Sequence, residues 1–137
     1  MRVVLDTNVI ISATLIRGGQ EDQIVRAWQR GVFELVLSPP ILEEMGQALF
    51  YEKLRKFRWM TVEEVAELLQ ALAQGSMVVS GRSKVKASRD PDDNKFVAAA
   101  IEAEARFVVT GDRDLLDLRR YRNVRIITPA RFLRIIP

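Results

Sequence analysis

The sequence predicts an α/β fold in which helices cover both faces of a central parallel sheet. Three observations predict it. Short apolar runs of strand length alternate with segments of helical periodicity along the whole chain, the pattern of strands joined by crossover helices. The first run, Val3–Leu5, is apolar at every position, as suits a strand covered on both faces. That run leads directly into Asp6, so a carboxylate falls at the carboxyl edge of the sheet, where open α/β sheets bind their ligands. The 137 residues suit a single domain, 1–137, and 48% hydrophobic content supplies a full core. No internal repeat or linker divides the chain.

Taken in order, a short helix is expected from near Asn8 to before Arg17. A second spans Glu21 to Arg30, with Ile24, Val25, Ala27 and Trp28 inward and Gly31 as its stop. Phe33–Leu37 is apolar and strand-like. Ser38-Pro39-Pro40 opens a helix over Ile41 to about Lys56, with Ser38 as its cap. Ile41, Leu42, Met45, Ala48 and Leu49 form its apolar stripe, and Gly46 lies inside it at a cost of about 1 kcal/mol relative to alanine. Thr61 and Glu64 have the spacing of a capping box. They start a helix to Ala73 whose stripe is Val62, Val65, Leu68, Leu69 and Leu72. Strands follow at Met77–Val79, Phe107–Val109 and Val124–Ile127. A helix from Asp90-Pro91 to about Glu104, a short one holding Leu115, Leu116 and Leu118, and a last one opened by Thr128-Pro129 complete the chain.

Composition removes several chemistries. With no cysteine there is no disulfide and no zinc-thiolate site, and with no histidine there is no imidazole base. Any bound metal must be held by oxygen, which favours Mg²⁺ or Mn²⁺. The net charge of +3 suits a polyanionic partner without requiring one. No apolar run approaches the ~20 residues that span a bilayer, and the N-terminus enters a strand without a signal-peptide pattern. A cytoplasmic protein with no membrane partner is expected.

Four acids stand out. Asp6 and Asp112 each follow a strand, where an aspartate is either a cap or turn residue or a ligand at the sheet edge. Asp93 precedes Phe96, Val97 and Ala100 by three, four and seven residues, which places it on the buried face of its helix. It can serve the helix dipole there, but burying it is costly unless a cation or donors receive it. Asp92 turns about 100° away. Glu44 borders the apolar stripe while Glu43 turns outward, and an exposed acidic pair accounts for them equally well. Beside Asp90 lies a polar loop, 80–89, bearing Arg82, Lys84, Lys86 and Arg89. It is either a solvated loop or a contact for a phosphate backbone. Four clustered carboxylates would repel unless a divalent cation bound, and an oxygen-ligand cluster of this kind suits a metal-dependent phosphodiester hydrolase.

These segments resemble the motifs of PIN-domain proteins. Asp6-Thr7-Asn8-Val9-Ile10-Ile11-Ser12-Ala13 resembles their opening motif. Ser38-Pro39-Pro40-Ile41-Leu42-Glu43-Glu44 is similar to their glutamate-bearing segment. Asp90-Pro91-Asp92-Asp93-Asn94-Lys95-Phe96 and Val109-Thr110-Gly111-Asp112-Arg113-Asp114-Leu115-Leu116 resemble their third and fourth acidic motifs. The match is in order along nearly the whole chain and is especially close to the VapC-like group, toxins of prokaryotic toxin–antitoxin pairs. The resemblance implies a three-layer α/β/α sandwich of about five parallel strands in the order 3-2-1-4-5. It also implies a Mg²⁺- or Mn²⁺-dependent endoribonuclease. Asp6, Glu44, Asp93 and Asp112 match its catalytic, metal-binding acids, and Asn8 and Thr110 its supporting positions. Asp90 and Asp114 are candidate additional ligands. The implied partners are an RNA substrate, a cognate antitoxin and a second copy of the chain. Two other readings stay open: a PIN domain that binds RNA or protein without cutting, and a nuclease acting on single-stranded DNA. A receiver-type phospho-acceptor domain would need an acidic pair after the first strand, which Asp6-Thr7 does not supply.

Overall fold

The computed structural model describes residues 1–55 and 60–137, the side chains of 52–55 excepted. Its strands are β1 (Arg2–Leu5), β2 (Glu34–Leu37), β3 (Met77–Val78), β4 (Phe107–Val109), β5 (Arg120–Tyr121) and β6 (Val124–Ile127). The helices are α1 (Thr7–Leu15), α2 (Gln20–Gln29), α3 (Pro39–Arg55), α4 (Val62–Gly75), α5 (Asn94–Glu102), α6 (Arg113–Leu116) and α7 (Pro129–Ile135). The six strands form one sheet in the order β3-β2-β1-β4-β6-β5. All neighbours are parallel except β5 and β6.

Apart from β5 this is the expected order 3-2-1-4-5. The added strand carried little signal. It has two residues and is joined to β6 through Arg122-Asn123 rather than an Asn-Gly turn. Its flanks, Arg119 and Arg122, hold φ of 58° and 53°, a region few non-glycine residues adopt.

The sheet is apolar because both its faces are covered. Val3, Val4, Leu5, Leu35, Val36, Leu37, Val108 and Val109 are fully buried, as expected of parallel strands. Helix α5 packs against β1, β2, β4 and β6, and its run Phe96–Ala100 is buried throughout. Helix α2 joins α1 to α7, while α3 contacts α1, α4 and α5. Phe132 of α7 meets Phe33 and Phe107 edge-on, at 5.2 and 6.0 Å between ring centroids.

Local signals behave mostly as expected. Gly31 (φ 79°) ends α2 in a Schellman arrangement: its amide bonds Trp28 O, and the Val32 amide bonds Ala27 O. Thr61 and Glu64 form the capping box of α4, although Val62 of the expected stripe is exposed. Met77–Val79 is one residue shorter as a strand, yet the Val79 amide still bonds Leu37 O.

Three expectations fail. Ser38 does not cap α3; its hydroxyl is buried without a partner, facing Gly81 (φ 71°), where an added Cβ would meet Ser38 Oγ at 3.1 Å. The helix expected from Asp90 to Glu104 is a 3-10 turn, Pro91–Asp93, followed by α5, and Glu104 at φ 53° lies beyond its end. Leu118 falls outside α6. Lys56, the expected end of α3, lies outside the described residues.

Candidate active site

Asp6 follows β1 directly. Its amide bonds Val109 O at 2.9 Å, extending the β1–β4 pairing to the sheet edge. Its carboxylate is buried, 5% exposed, and caps α1 by accepting from the Asn8 amide at 3.4 Å. The other oxygen accepts from Thr110 Oγ1 at 2.6 Å. Thr110 is fully buried, and its hydroxyl also accepts from the Asp112 amide at 2.9 Å. Asp112 in turn caps α6 by accepting from the Leu115 amide at 3.3 Å. Both aspartates therefore hold the ordinary capping role while standing at adjacent strand ends.

Asp93 closes the 3-10 turn, which Asp90 caps through the Asp92 amide at 3.0 Å. Ser88 Oγ donates to Asp93 Oδ2 at 3.2 Å. The segment stays in place because Asn94 Oδ1 accepts from the Ala87 and Ser88 amides at 3.1 and 2.9 Å. Glu44 comes from α3, between buried Ile41 and Met45 and exposed Glu43, as the helical-face argument requires. Thr7 Oγ1 donates to its Oε2 at 2.5 Å, and Lys95 Nζ to its Oε1 at 2.8 Å.

A cleft of about 340 Å³ is lined by Asp6, Glu44, Asp93 and Asp112, together with Asp90 and Asp92. All four candidate acids thus reach one place, from four elements. Asn8 also borders the cleft, but its amide proton, not its side chain, meets Asp6. Thr110 lies beneath Asp6 rather than in the cleft. Asp92, set aside on helical periodicity, is on the rim. The 3-10 turn is not a continuation of α5, so the α-helical face does not extend to it. Asp114 is not in the cleft lining. Its carboxylate can come within 4.8 Å of those of Asp90 and Asp93, but Arg89 holds it at 2.9 Å and Asp117 at 2.6 Å. Arg89 therefore differs from its loop neighbours Arg82, Lys84 and Lys86, which are exposed and make no ion pair among the described residues.

The electrostatics mark the site. Burial pushes the Asp6 carboxyl above its ordinary range. The Thr110 and Asn8 donors oppose that shift, and the charges of Glu44 and Asp112 add to it. Asp93 is pushed up to about 7, by burial first and then by its hydrogen bond to Asp112 and the charge there. Among the described residues Lys95 is the one cation ion-paired with any of the four acids. Asp6, Asp93 and Asp112 line the cleft without an ion-paired cation among the described residues, and the acids whose carboxylate oxygens lie within 4.8 Å of one another are Asp90, Asp93 and Asp114. An all-oxygen set of this kind suits a divalent cation.

Two contributors were missed in the sequence. Thr7, between Asp6 and Asn8, carries a local signal in its hydroxyl at the first turn of a helix. Lys95 lies in the third acidic motif, where the sequence alone assigns it no role. Its partner is 51 residues away, so no local spacing connects them. The loop 80–89 has a further anchor in Glu102. Burial alone would raise that carboxyl, but hydrogen bonds from Ser80, Ser83 and Gly81 outweigh it and hold the group below its ordinary range.

Comparison with known proteins agrees with this architecture. The PIN domain family profile matches residues 2–114. The uncharacterized protein MJ1680 of Methanocaldococcus jannaschii is 34% identical over 119 residues, covering 87% of this chain and 76% of that protein. A chain in the crystal structure of VapBC2 from Rickettsia felis, bound to a DNA fragment from their promoter, superposes with a TM-score of 0.60. The superposition covers 93% of this chain and 98% of that one at 14% identity, a likeness of fold.

Proposed function

The chain belongs to the PIN-domain family, and on that premise we propose that it is a Mg²⁺- or Mn²⁺-dependent endoribonuclease. The observation that carries this reading is the convergence of Asp6, Glu44, Asp93 and Asp112 on one cleft, three of them without an ion-paired cation among the described residues. Nucleases are typical of the family, and a divalent cation is its general requirement. When bound, the cation supplies an activated water and offsets charge on the scissile phosphate.

The side chains then have separate tasks. Asp6 is the central ligand, oriented by the buried Thr110 hydroxyl. Asp93 and Asp112 complete that wall and would hold the cation with it. Glu44 is oriented by Thr7, and Lys95 beside it offers a positive charge to a substrate phosphate. In-line attack of water on phosphorus would leave a 5′-phosphate and a 3′-hydroxyl. Asp90, which lines the cleft, and Asp114 are candidate additional ligands beside Asp93, and Arg82, Lys84 and Lys86 contact the RNA backbone from the adjoining loop.

The fold shared with a chain of a VapBC pair supports a role as the toxin of a toxin–antitoxin system. The protein would act in the cytoplasm as a homodimer. An antitoxin peptide would silence it by lying in the acidic cleft, with an arginine on the carboxylates. No helix among the described residues is long and apolar enough to cross a membrane.

The test is direct. Purified protein is incubated with labelled RNA and labelled single-stranded DNA, in Mg²⁺, in Mn²⁺ and in EDTA. RNA cleavage in the first two and none in EDTA is the expected result. Cleavage of DNA alone would reassign the substrate, and metal-dependent binding without cleavage would make the domain a binding module.

A further inference from the structure

Arg119, Arg120, Arg122, Arg125, Arg131 and Arg134 are the only charged side chains after Asp117. No acid interrupts them. The fold gathers four of them, because β5 turns back antiparallel on β6 and pairs Arg120 with Arg125. Arg119 sits at the turn before β5, with its carbonyl accepting from the Ile126 amide at 2.9 Å. Arg131 comes from the first turn of α7, where Thr128 is the cap. Arg119, Arg120, Arg125 and Arg131 line a groove of about 470 Å³, together with Leu116 and Thr128, and no acid among the described residues lines it. All four are exposed. Among the described residues Arg119, Arg125 and Arg131 have no ion-pair partner, and Arg120 donates to Arg122 O at 2.8 Å.

The groove adjoins the acidic cleft. Helix α6 stands between them: Asp112 at its N-cap lines the cleft, and Leu116 at its last position lines the groove. The residues Ile127 and Thr128 on the groove side end the strand paired with β4, whose continuation is Thr110. Four residues of helix span about 6 Å, a distance that a few nucleotides cover. Every cation here is arginine, whose planar fork matches phosphate oxygens in pairs.

We propose that this arginine groove is a phosphate-backbone track that holds the RNA strand beside the cleft. The proposal rests on the ribonuclease reading and adds a binding surface to it, distinct from the loop 80–89. A basic cleft of this sort, without acids, binds single strands through backbone charge and without sequence preference. An acidic segment of a protein partner is the competing occupant.

The test compares the full chain with Arg119→Gln/Arg125→Gln/Arg131→Gln and with the matching triple lysine variant. Anisotropy of a labelled single-stranded RNA in EDTA gives affinity against salt, and a Mg²⁺ cleavage assay gives kcat and KM. Loss of three phosphate contacts lowers the salt slope by about 2. Affinity falls on the order of tenfold, KM rises and kcat holds, while the lysine triple keeps most of the slope. Unchanged affinity and slope in the glutamine triple overturn the groove while leaving the ribonuclease reading intact. Absence of RNA cleavage by the unaltered chain overturns that reading first. Normal RNA parameters with loss of binding to an acidic peptide would give the groove to a protein partner and also overturn the proposal. Circular dichroism melts of both triples separate these outcomes from misfolding.

Discussion

The two walls of the acidic cleft hold their carboxylates in opposite electrostatic states. On one wall Glu44 has both oxygens occupied, by Thr7 and by Lys95. On the other, Asp6, Asp93 and Asp112 have hydroxyl and amide donors but, among the described residues, no ion-paired cation, and Asp6 and Asp93 are held above their ordinary range. The first wall is settled without metal; the second is under electrostatic strain that a divalent cation would relieve. Strain of this kind persists only where the surrounding structure imposes it. Here it does so through Thr110, the α6 cap and the Asn94 clamp on the loop.

The difference can be broken most severely at Asp6. Asp6→Asn removes the buried charge and keeps an acceptor for Thr110. Cleavage should fall by more than ~100-fold, beyond the range seen when outer-shell partners of ligands are removed. The same variant should melt at a higher temperature than the unaltered chain in EDTA. Loss of activity with a lower melting temperature would show that Asp6 holds the fold rather than the metal.

Replacing the other wall should cost less. Lys95→Met leaves Glu44 in place without its cation, and Thr7→Val removes its orienting hydroxyl. Each is expected to lower kcat/KM by ~10–100-fold. An effect as large as that of Asp6→Asn would erase the distinction between the walls.

The strain also has a pH signature. Asp93 titrates near 7 in the folded chain against an ordinary 3.8. The stability contributed by its protonated form is therefore fully present below 3.8 and lost as pH rises through about 7. Metal-free protein should lose melting temperature across that window, and the gain from added Mg²⁺ should widen from pH 5 to pH 8. Scanning calorimetry in EDTA and in Mg²⁺ reads both. Asp93→Asn should flatten the metal-free slope, and a slope that survives the substitution would place the titrating group elsewhere.

The smallest effect is expected at Gly46, two residues from Glu44. A methyl group there would meet Leu69 Cδ1 at 3.4 Å, ordinary contact distance. Gly46→Ala should stabilise by up to about 1 kcal/mol and leave cleavage unchanged. Destabilisation in a urea melt would mean that α3 and α4 have no room to accommodate it.

Much of this arrangement was legible in the sequence, for reasons that differ by residue. Asp6 and Asp112 could be placed because a strand end fixes where the next residue lies. Glu44 could be told from Glu43 because helix periodicity assigns neighbouring side chains to different faces, and Glu44 is half-buried while Glu43 is exposed. Asp92 could not be placed, since a 3-10 turn interrupts the α-helical periodicity of that segment. Ser38 failed as a cap: its hydroxyl is buried without a partner, next to Gly81 from a distant part of the chain, a neighbour that local pattern does not announce. Strand β5 escaped notice because two residues have no period to display.

The sequence by itself determined the parallel sheet, the residues that end its strands and the exclusion of imidazole and thiolate chemistry. These follow from local pattern and from composition. Only the tertiary structure decided which charges meet. It paired Lys95 with Glu44 and Arg89 with Asp114 and Asp117, and it gathered the arginines of β5, β6 and α7 along one groove. Charge interacts through space, whereas periodicity describes one element at a time. The same carboxylate can therefore be neutralised on one wall and strained on the other without any local difference in sequence.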